Sequence, residues 1–512
     1  MAAGAAGSMS MMSAVEPGTP PAEPTAATEP DLLDTGAAGP AALRGSVLRM
    51  GAYVLGVLLS LISVPLLVRH LGVSEFGRYV TVTSLVTIVG GFTEGGLNSI
   101  VLREFATLSS ERRREMMRSA IGIRMVLTVV GVVIVVGFAA LAGYGSTLVL
   151  GTAVAGIGLV LQLLQSVLSV TLQGQLRFGW ASAAELVRQV VSVTLLVTLV
   201  LVGAGLLPLL AVAIPASAVS LAFTVPLVRG YTTLRPSFHI GRWWRLLRET
   251  VPWAVISAVN IVYFRVSIVL MSIVATAEQT GYFATSFRIV EVLVGVPSLL
   301  IGSAFPILAR AERDDLERFE FASGRIFELA LLAGIWLVLC LEIAAPFAIH
   351  VVAGNKADPA IAVLRIQGVV VLASFVSVAC GLPLLMMRRY REVLLANLLA
   401  LVIAAALTLA LAPSHGAHGA AIAALAAEGG LAVSQALMLK RASRGIVFSL
   451  STVAIALLAG GVAVAVGLAL PVQPLIGVVA ASVVYFAILK LLGRFPTEVR
   501  ELLAARIGGV VR

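Results

Sequence analysis

The stretch Leu71-Gly72-Val73-Ser74-Glu75-Phe76-Gly77-Arg78-Tyr79 separates two long apolar runs. A related stretch, Glu278-Gln279-Thr280-Gly281-Tyr282-Phe283, lies further along, and Gly281 follows Gly77 by 204 residues. Both glycines come after an acid- or amide-containing turn, and both have an aromatic two residues on. The apolar runs that precede them begin at 47 and 251, the same offset. Six apolar runs therefore make up one repeat. Six is even, so the two repeats share one orientation and are related by an axis along the membrane normal.

The composition agrees with a chain built for lipid. Of 512 residues 59% are hydrophobic and only 12% charged, and the mean hydropathy is +1.03. Soluble domains hold about 45–50% apolar and about 25% charged residues. The apolar residues form runs of about 20 or more, enough for a helix to cross a hydrocarbon core. We read fourteen spans: 47–69, 79–102, 119–141, 147–172, 181–203, 206–228, 251–275, 284–308, 326–352, 359–386, 392–412, 416–439, 447–470 and 472–492. The expected fold is an all-α polytopic membrane protein. An N-lobe at 47–228 and a C-lobe at 251–439 are joined by a basic loop at 229–250. Two extra helices at 447–492 and a tail at 493–512 follow. The short connections leave no room for a soluble catalytic domain, so any function must be built from the helices.

Residues 1–46 hold six prolines and five acids against the single base Arg44, a composition that cannot bury a core and predicts a disordered tail. They lack the basic and apolar regions of a cleaved signal peptide. Cys340 and Cys380 fall in separate apolar spans, and His415 and His418 stand without a Cys or acid ligand beside them, so no metal or cofactor is expected.

Lys and Arg fix the expected orientation. With fourteen spans, 28 of the 36 basic residues fall in connections or tails on one side and three (Arg69, Arg78, Lys356) on the other. The basic side is cytoplasmic by the positive-inside rule, which places both termini there. The net charge of +10 is then a belt facing anionic lipids. It does not point to nucleic acid, because no folded basic domain exists to bind it.

Five arginines remain inside the spans: Arg124, Arg188, Arg265, Arg288 and Arg365. A charge at mid-bilayer costs about 2.5–3.5 kcal/mol on insertion scales. Arg124 and Arg365 lie near span ends and are expected to snorkel. Arg188 has Glu185 three residues before it, and Arg288 has Glu291 three residues after it, which allows local ion pairs. Arg265 is deep in its span with no acid within a turn. It is expected to face a wet cavity or an anionic ligand. In the second span Thr83, Thr87, Gly91, Glu94 and Asn98 share one helix face, either a helix–helix seam or a cavity wall. Glu342 and Glu428 are also deep, and are expected to be protonated or paired across helices.

These residues carry a resemblance. Residues 71–79 resemble the L-G-x-x-x-F-G-x-Y turn of polysaccharide-biosynthesis flippases in the multidrug/oligosaccharidyl-lipid/polysaccharide exporter superfamily. Glu94-Gly95-Gly96-Leu97-Asn98 is similar to that family's D-x-G-L stretch, with Glu in place of Asp. Phe264-Arg265-Val266-Ser267 is similar to its R-x-D, with Ser267 at the acid position. The resemblance implies two six-helix lobes around a cavity and alternating access. The implied cargo is an oligosaccharide on a polyprenyl diphosphate. Arg265 is the first candidate for the diphosphate, with Arg288, Arg188 and Asn98 beside it, since guanidinium forks bind phosphate oxygens. Glu94 and Glu291 are the candidate coupling carboxylates. No nucleophile is implied, and neighbouring polysaccharide-assembly enzymes are natural partners. Three rivals remain at this point: a small-cation or drug exporter of the same superfamily, a membrane-embedded polymerase or glycosyltransferase, and a non-transporting scaffold that uses its cytoplasmic tails. The polymerase or glycosyltransferase generally needs a large outer loop or an outer acid pair, and here the outer connections are short.

Overall fold

The structure, a computed structural model, describes residues 38–495 except 95, 176, 233, 303–307, 309–310, 313–314, 444, 447 and 472. The described residues are almost wholly helical. In chain order the helices are α1 (Ala38–Glu94), α2 (Leu97–Thr107), α3 (Ser110–Leu141), α4 (Ser146–Gly174), α5 (Phe178–Leu201), α6 (Leu206–Ala211) and α7 (Ala213–Val228). They continue with α8 (Ile240–Val274), α9 (Ala277–Gly302), α10 (Leu316–Ala353), α11 (Pro359–Met386), α12 (Tyr390–Ala442), α13 (Leu450–Ala469) and α14 (Pro474–Leu491). Among the described residues, eleven helices are long and apolar enough to cross a membrane. Fourteen crossings remain the expectation from sequence.

Two helices are far longer than the roughly 20 residues of one span. α1 has 57 residues and α12 has 53, and each contains one non-helical glycine. Gly72 has φ 74 and ψ 168. Gly416 has φ 55 and ψ −132. Such angles are close to forbidden for a residue with a Cβ. The first outer turn is thus not a loop, as read from sequence, but a helix broken at Gly72. A third break, between Glu94 and Leu97, has Gly96 at φ 77 and divides the second span.

Helix begins at Ala38, inside the stretch expected to be a disordered tail; residues 1–37 and 496–512 lie outside the described region. The expected loop 229–250 is helical from Ile240 on. Its extended part is tied to the start of α3, where the Ser237 amide donates to the Arg118 carbonyl at 2.9 Å. The Trp243 indole donates to the Ser237 carbonyl at 3.0 Å.

Lipid tails are as apolar as the side chains, so helices in a bilayer associate through close packing of small residues. Gly158 of α4 lies so near α7 that a Cβ would come within 2.8 Å of the Ala213 carbonyl carbon. The last two helices pack on α10 through Ala456, Ala459, Ala463 and Ala481 against Ile335, Leu339 and Ile343. The Tyr485 hydroxyl donates to the Leu332 carbonyl at 3.0 Å, fixing α14 against α10.

Candidate functional site

The N-terminal helices (α1–α7) and the C-terminal helices (α8–α12) meet at the end carrying the short connections. The two matched glycines are themselves the contact. A Cβ on Gly77 would lie 2.6 Å from the Ala277 carbonyl oxygen and 2.7 Å from the Gly281 nitrogen. A Cβ on Gly281 would run into the Val73 carbonyl. Beside this contact the Arg69 guanidinium donates to the carbonyls of His350 at 3.0 Å and Val351 at 2.7 Å. Tyr144 and Ser272 share a hydroxyl–hydroxyl bond of 2.6 Å.

A cavity of about 640 Å³ opens between the halves and reaches as far as Val351, one of the residues that Arg69 holds. Its walls are mainly apolar, with Val64 and Pro65 of α1, Val292 and Leu293 of α9, and Phe347 of α10. Its charged corner is Arg288 and Glu291, and Gln189 of α5 also lines it. Glu291 accepts from Arg288 Nη1 at 2.9 Å and, more tightly, from Arg265 Nη2. Two guanidiniums on one carboxylate leave a net positive corner. Arg288 Nε is buried with no hydrogen-bond partner in the structure.

Arg265 therefore has an acid after all, one helix away. Sequence distance hid it, since Glu291 is on α9 and Arg265 on α8. The Arg265 side chain is only 13% exposed and lies over the Phe287 ring, 5.5 Å from its centroid. It stands behind Glu291, and Arg288 is the arginine that lines the cavity. Arg188 pairs with Glu185 on its own helix, as the spacing indicated.

Arg124 does not snorkel. Among the described residues it is the largest fully buried side chain, at 1% exposure. The break after Glu94 explains this. A helix end leaves carbonyls without partners, and Arg124 Nη1 reaches the Thr93 carbonyl at 2.5 Å. Its Nη2 donates to Asn98 Oδ1 at 2.7 Å. The Asn98 amide in turn donates to Glu94 at 3.1 Å and to Ser166 at 2.8 Å. Asn98 is thus placed as a connector of α2, α3 and α4. Arg365 does not simply snorkel either. Its Nε lies 3.8 Å from a carboxylate oxygen of Glu342 and donates to that residue's carbonyl at 3.3 Å.

Glu94 lines a second cavity of about 510 Å³ inside the N-terminal half, with residues of α4 and α5. The stripe on span 2 is therefore divided. Gly91 packs against Ile261 of α8, Thr87 bonds back to the Thr83 carbonyl at 2.7 Å, and Glu94 faces the cavity. In the C-terminal half Glu428 is buried and accepts from Ser374 at 2.9 Å, Ser377 at 3.2 Å and the Tyr263 hydroxyl. Among the described residues no group of His, Cys, Asp and Glu could hold a metal ion.

Sequence reasoning missed the glutamines of α4 and α5. Gln162, Gln165, Ser169 and Gln173 follow one another at helical spacing, the same signal that singled out the stripe on span 2.

A family model described as polysaccharide biosynthesis protein matches residues 42–312. The chain belongs to the polysaccharide biosynthesis protein family. No curated protein matches it by sequence. Among solved structures it is similar to a lipid II flippase MurJ in an inward closed conformation, with TM-score 0.75 at 12% identity, over 88% of this chain and 99% of that one. It is also similar to an inward-facing multidrug resistance MATE family transporter of the MOP superfamily, with TM-score 0.61 at 14% identity, over 77% of this chain and 97% of that one. At these identities the likeness establishes the fold: this member of the polysaccharide biosynthesis protein family is a multi-pass membrane protein with the fold of that superfamily.

Proposed function

We propose that the protein moves a polyprenyl-diphosphate-linked oligosaccharide, the repeat unit of a polysaccharide, from the cytoplasmic to the outer leaflet by alternating access. The observation that carries this reading is the cavity of about 640 Å³ between the halves, apolar along its walls and positive at one corner. A lipid-linked diphosphate has the same division. Its chain suits apolar walls, and its phosphates suit guanidinium donors. Arg288 lines that corner, and its guanidinium is the donor group a phosphate would meet. Arg265 strengthens the corner from behind.

Phosphate and Glu291 would compete for the Arg288 guanidinium. Cargo binding then loosens the hold on Glu291 and favours its protonation, which makes Glu291 a coupling carboxylate of defined position. Glu94, at the helix break of the other half, is the second coupling candidate. No bond is made or broken in the cargo, so the reading is of a transporter and not an enzyme. The cavity alternates by rocking the two lobes about their contact. The basic connections lie on the cytoplasmic face of the cell membrane, where they meet anionic lipids and the enzymes that assemble the cargo. A net positive corner argues against the rival reading of a small-cation exporter.

The test is translocation of a fluorescent polyprenyl-diphosphate disaccharide in vesicles holding the purified full-length protein. Losing a charge-assisted contact to the diphosphate is worth about 1.5–3 kcal/mol. Arg288→Ala should slow transfer by about tenfold or more, and Arg265→Ala, which leaves Glu291 to pair with Arg288 alone, should slow it too. Wild-type transfer in both variants would remove the diphosphate corner from the account. Efflux of an organic cation, without lipid transfer, would establish the rival.

A further inference from the structure

The cavity of about 510 Å³ in the N-terminal half lies between the break after Glu94, the later part of α4 and the first part of α5. Its size falls within the roughly 300–1,000 Å³ of small-molecule sites. Amides and carboxylates dominate its polar lining: Gln162, Gln165 and Gln173 of α4, Glu185 and Gln189 of α5, and Glu94. No Arg, Lys or His is among the described residues that line it. This composition is the opposite of the Arg288 corner.

Several of these groups have hydrogen-bonding capacity left. Gln162 and Gln173 make no side-chain hydrogen bond among the described residues. Gln189 donates to Glu185 at 3.1 Å, but its Oε1 is buried with no partner. That atom packs against Gly56 of α1, so the free capacity toward the recess is that of Gln162 and Gln173. A sugar matches it. Each hydroxyl both donates and accepts, an amide offers both functions, and a carboxylate accepts through two oxygens. Phe178 adds an aromatic face to the same wall. Glu185 is paired with Arg188, but Arg188 is not among the residues that line the recess, so a phosphate or a uronic acid would meet carboxylate oxygens of Glu94 and Glu185 with no guanidinium facing it, which is unfavourable.

The two cavities are joined at one side chain. Gln189 lines both. It reaches the central cavity because residue 56 of α1 is glycine, where a Cβ would collide with the Gln189 amide. A cargo whose diphosphate sits at Arg288 therefore has a polar recess next to it.

The geometry points to this recess as the glycan pocket of the cargo, selective for neutral or amino sugars over uronic acids. The inference rests on the proposed flippase reading and adds the chemical class of the sugar and the residues that read it.

The experiment uses the full-length protein in detergent and three probes. They are undecaprenyl diphosphate, the same lipid carrying a neutral N-acetylhexosamine disaccharide, and the same lipid carrying a glucuronic-acid-terminated disaccharide. The neutral lipid should bind about tenfold more tightly than the bare one, as expected for a few added hydrogen bonds. The acidic lipid should gain nothing. Gln162→Leu with Gln173→Leu should bring the neutral lipid down to the affinity of the bare one. Gln162→Arg supplies the missing cation and should make the acidic lipid the preferred ligand, a gain that a misfolded variant could not show. Equal binding of all three lipids by the wild type, or a preference for the acidic one, would overturn the glycan pocket and leave the flippase reading standing. If none of the three binds, the flippase reading fails and the pocket assignment fails with it.

Discussion

The two halves of the molecule use their polar residues differently. In the N-terminal half, amides and two carboxylates, one of them paired with Arg188, line an open recess, and the arginine behind it is sealed in the protein with its charge directed at a broken helix. In the C-terminal half, carboxylates are consumed internally. Glu291 holds two arginines, Glu342 holds Arg365, and Glu428 is enclosed by Tyr263, Ser374 and Ser377. One half presents hydrogen-bonding capacity to a cavity, and the other presents charge at a single corner. A similar run of helices thus supports two kinds of recognition, and specificity lies in the side chains rather than the fold.

The place where the halves touch is the strongest way to disturb this arrangement. Gly77 and Gly281 approach through their backbones, so no side-chain rearrangement can accommodate a larger residue at Gly281. Gly281→Leu should force the halves apart at that end. Transfer in the vesicle assay should fall below about a tenth of wild type, since overpacking at such a contact costs about 1–3 kcal/mol or more. A single cysteine at Thr276 should at the same time become more reactive toward a membrane-impermeant thiol reagent. Unchanged labelling and transfer would show that this contact does not hold the closed end.

Arg124 tests whether the recess depends on the broken helix. Arg124→Met keeps the length of the side chain and removes both donors. The Thr93 carbonyl and Asn98 Oδ1 then lose their partner in a buried site. Each unsatisfied group costs about 1–3 kcal/mol, so thermal unfolding should occur several degrees lower. The loss should be specific to the N-terminal half. Sugar-dependent binding should weaken because Asn98 also holds Glu94 and Ser166 at the edge of the recess. Variants at the Arg288 corner should show no such loss of stability. Equal stability of Arg124→Met and wild type would mean that water serves the break as well as the guanidinium does.

Much of the fold was legible in the chain because the membrane imposes its own rules. Apolar runs of fixed length gave the helical membrane fold, and the two glycine turns singled out by their 204-residue offset are in contact in the structure. Partners were harder to read. Arg265 has no acid within a turn because its partner is 26 residues away on another helix. Arg124 lies near a span end, and no local pattern shows that a neighbouring helix breaks and exposes a carbonyl to it. The glutamines of α4 carried a readable helical spacing, but their significance depends on α5 standing off from α4, which no local pattern encodes. Local pairs such as Glu185 with Arg188 were legible because both partners sit on one helix turn.

The smallest effect separates the two mid-helix glycines, one in each half. Gly72 and Gly416 both occupy backbone angles that suit glycine, yet their surroundings differ. Nothing lies within 4 Å of a Cβ built at Gly72. Gly416 faces Gln279, whose Oε1 accepts the Ala417 amide at 2.9 Å and so caps the helical run that follows. Gly72→Ala should cost only the backbone strain, about 1–3 kcal/mol. Gly416→Ala should cost that strain and also displace the cap, worth a further 0.5–1.5 kcal/mol or so. Gln279→Ala isolates the second part. If thermal unfolding shows that Gly416→Ala loses no more stability than Gly72→Ala, the cap contributes nothing and the two breaks are equivalent. If Gly416→Ala and Gln279→Ala destabilise by amounts that fail to add in the double variant, the two residues act as one unit. The C-terminal break is then held by a side chain from the matched turn, while the N-terminal one is held by backbone conformation alone.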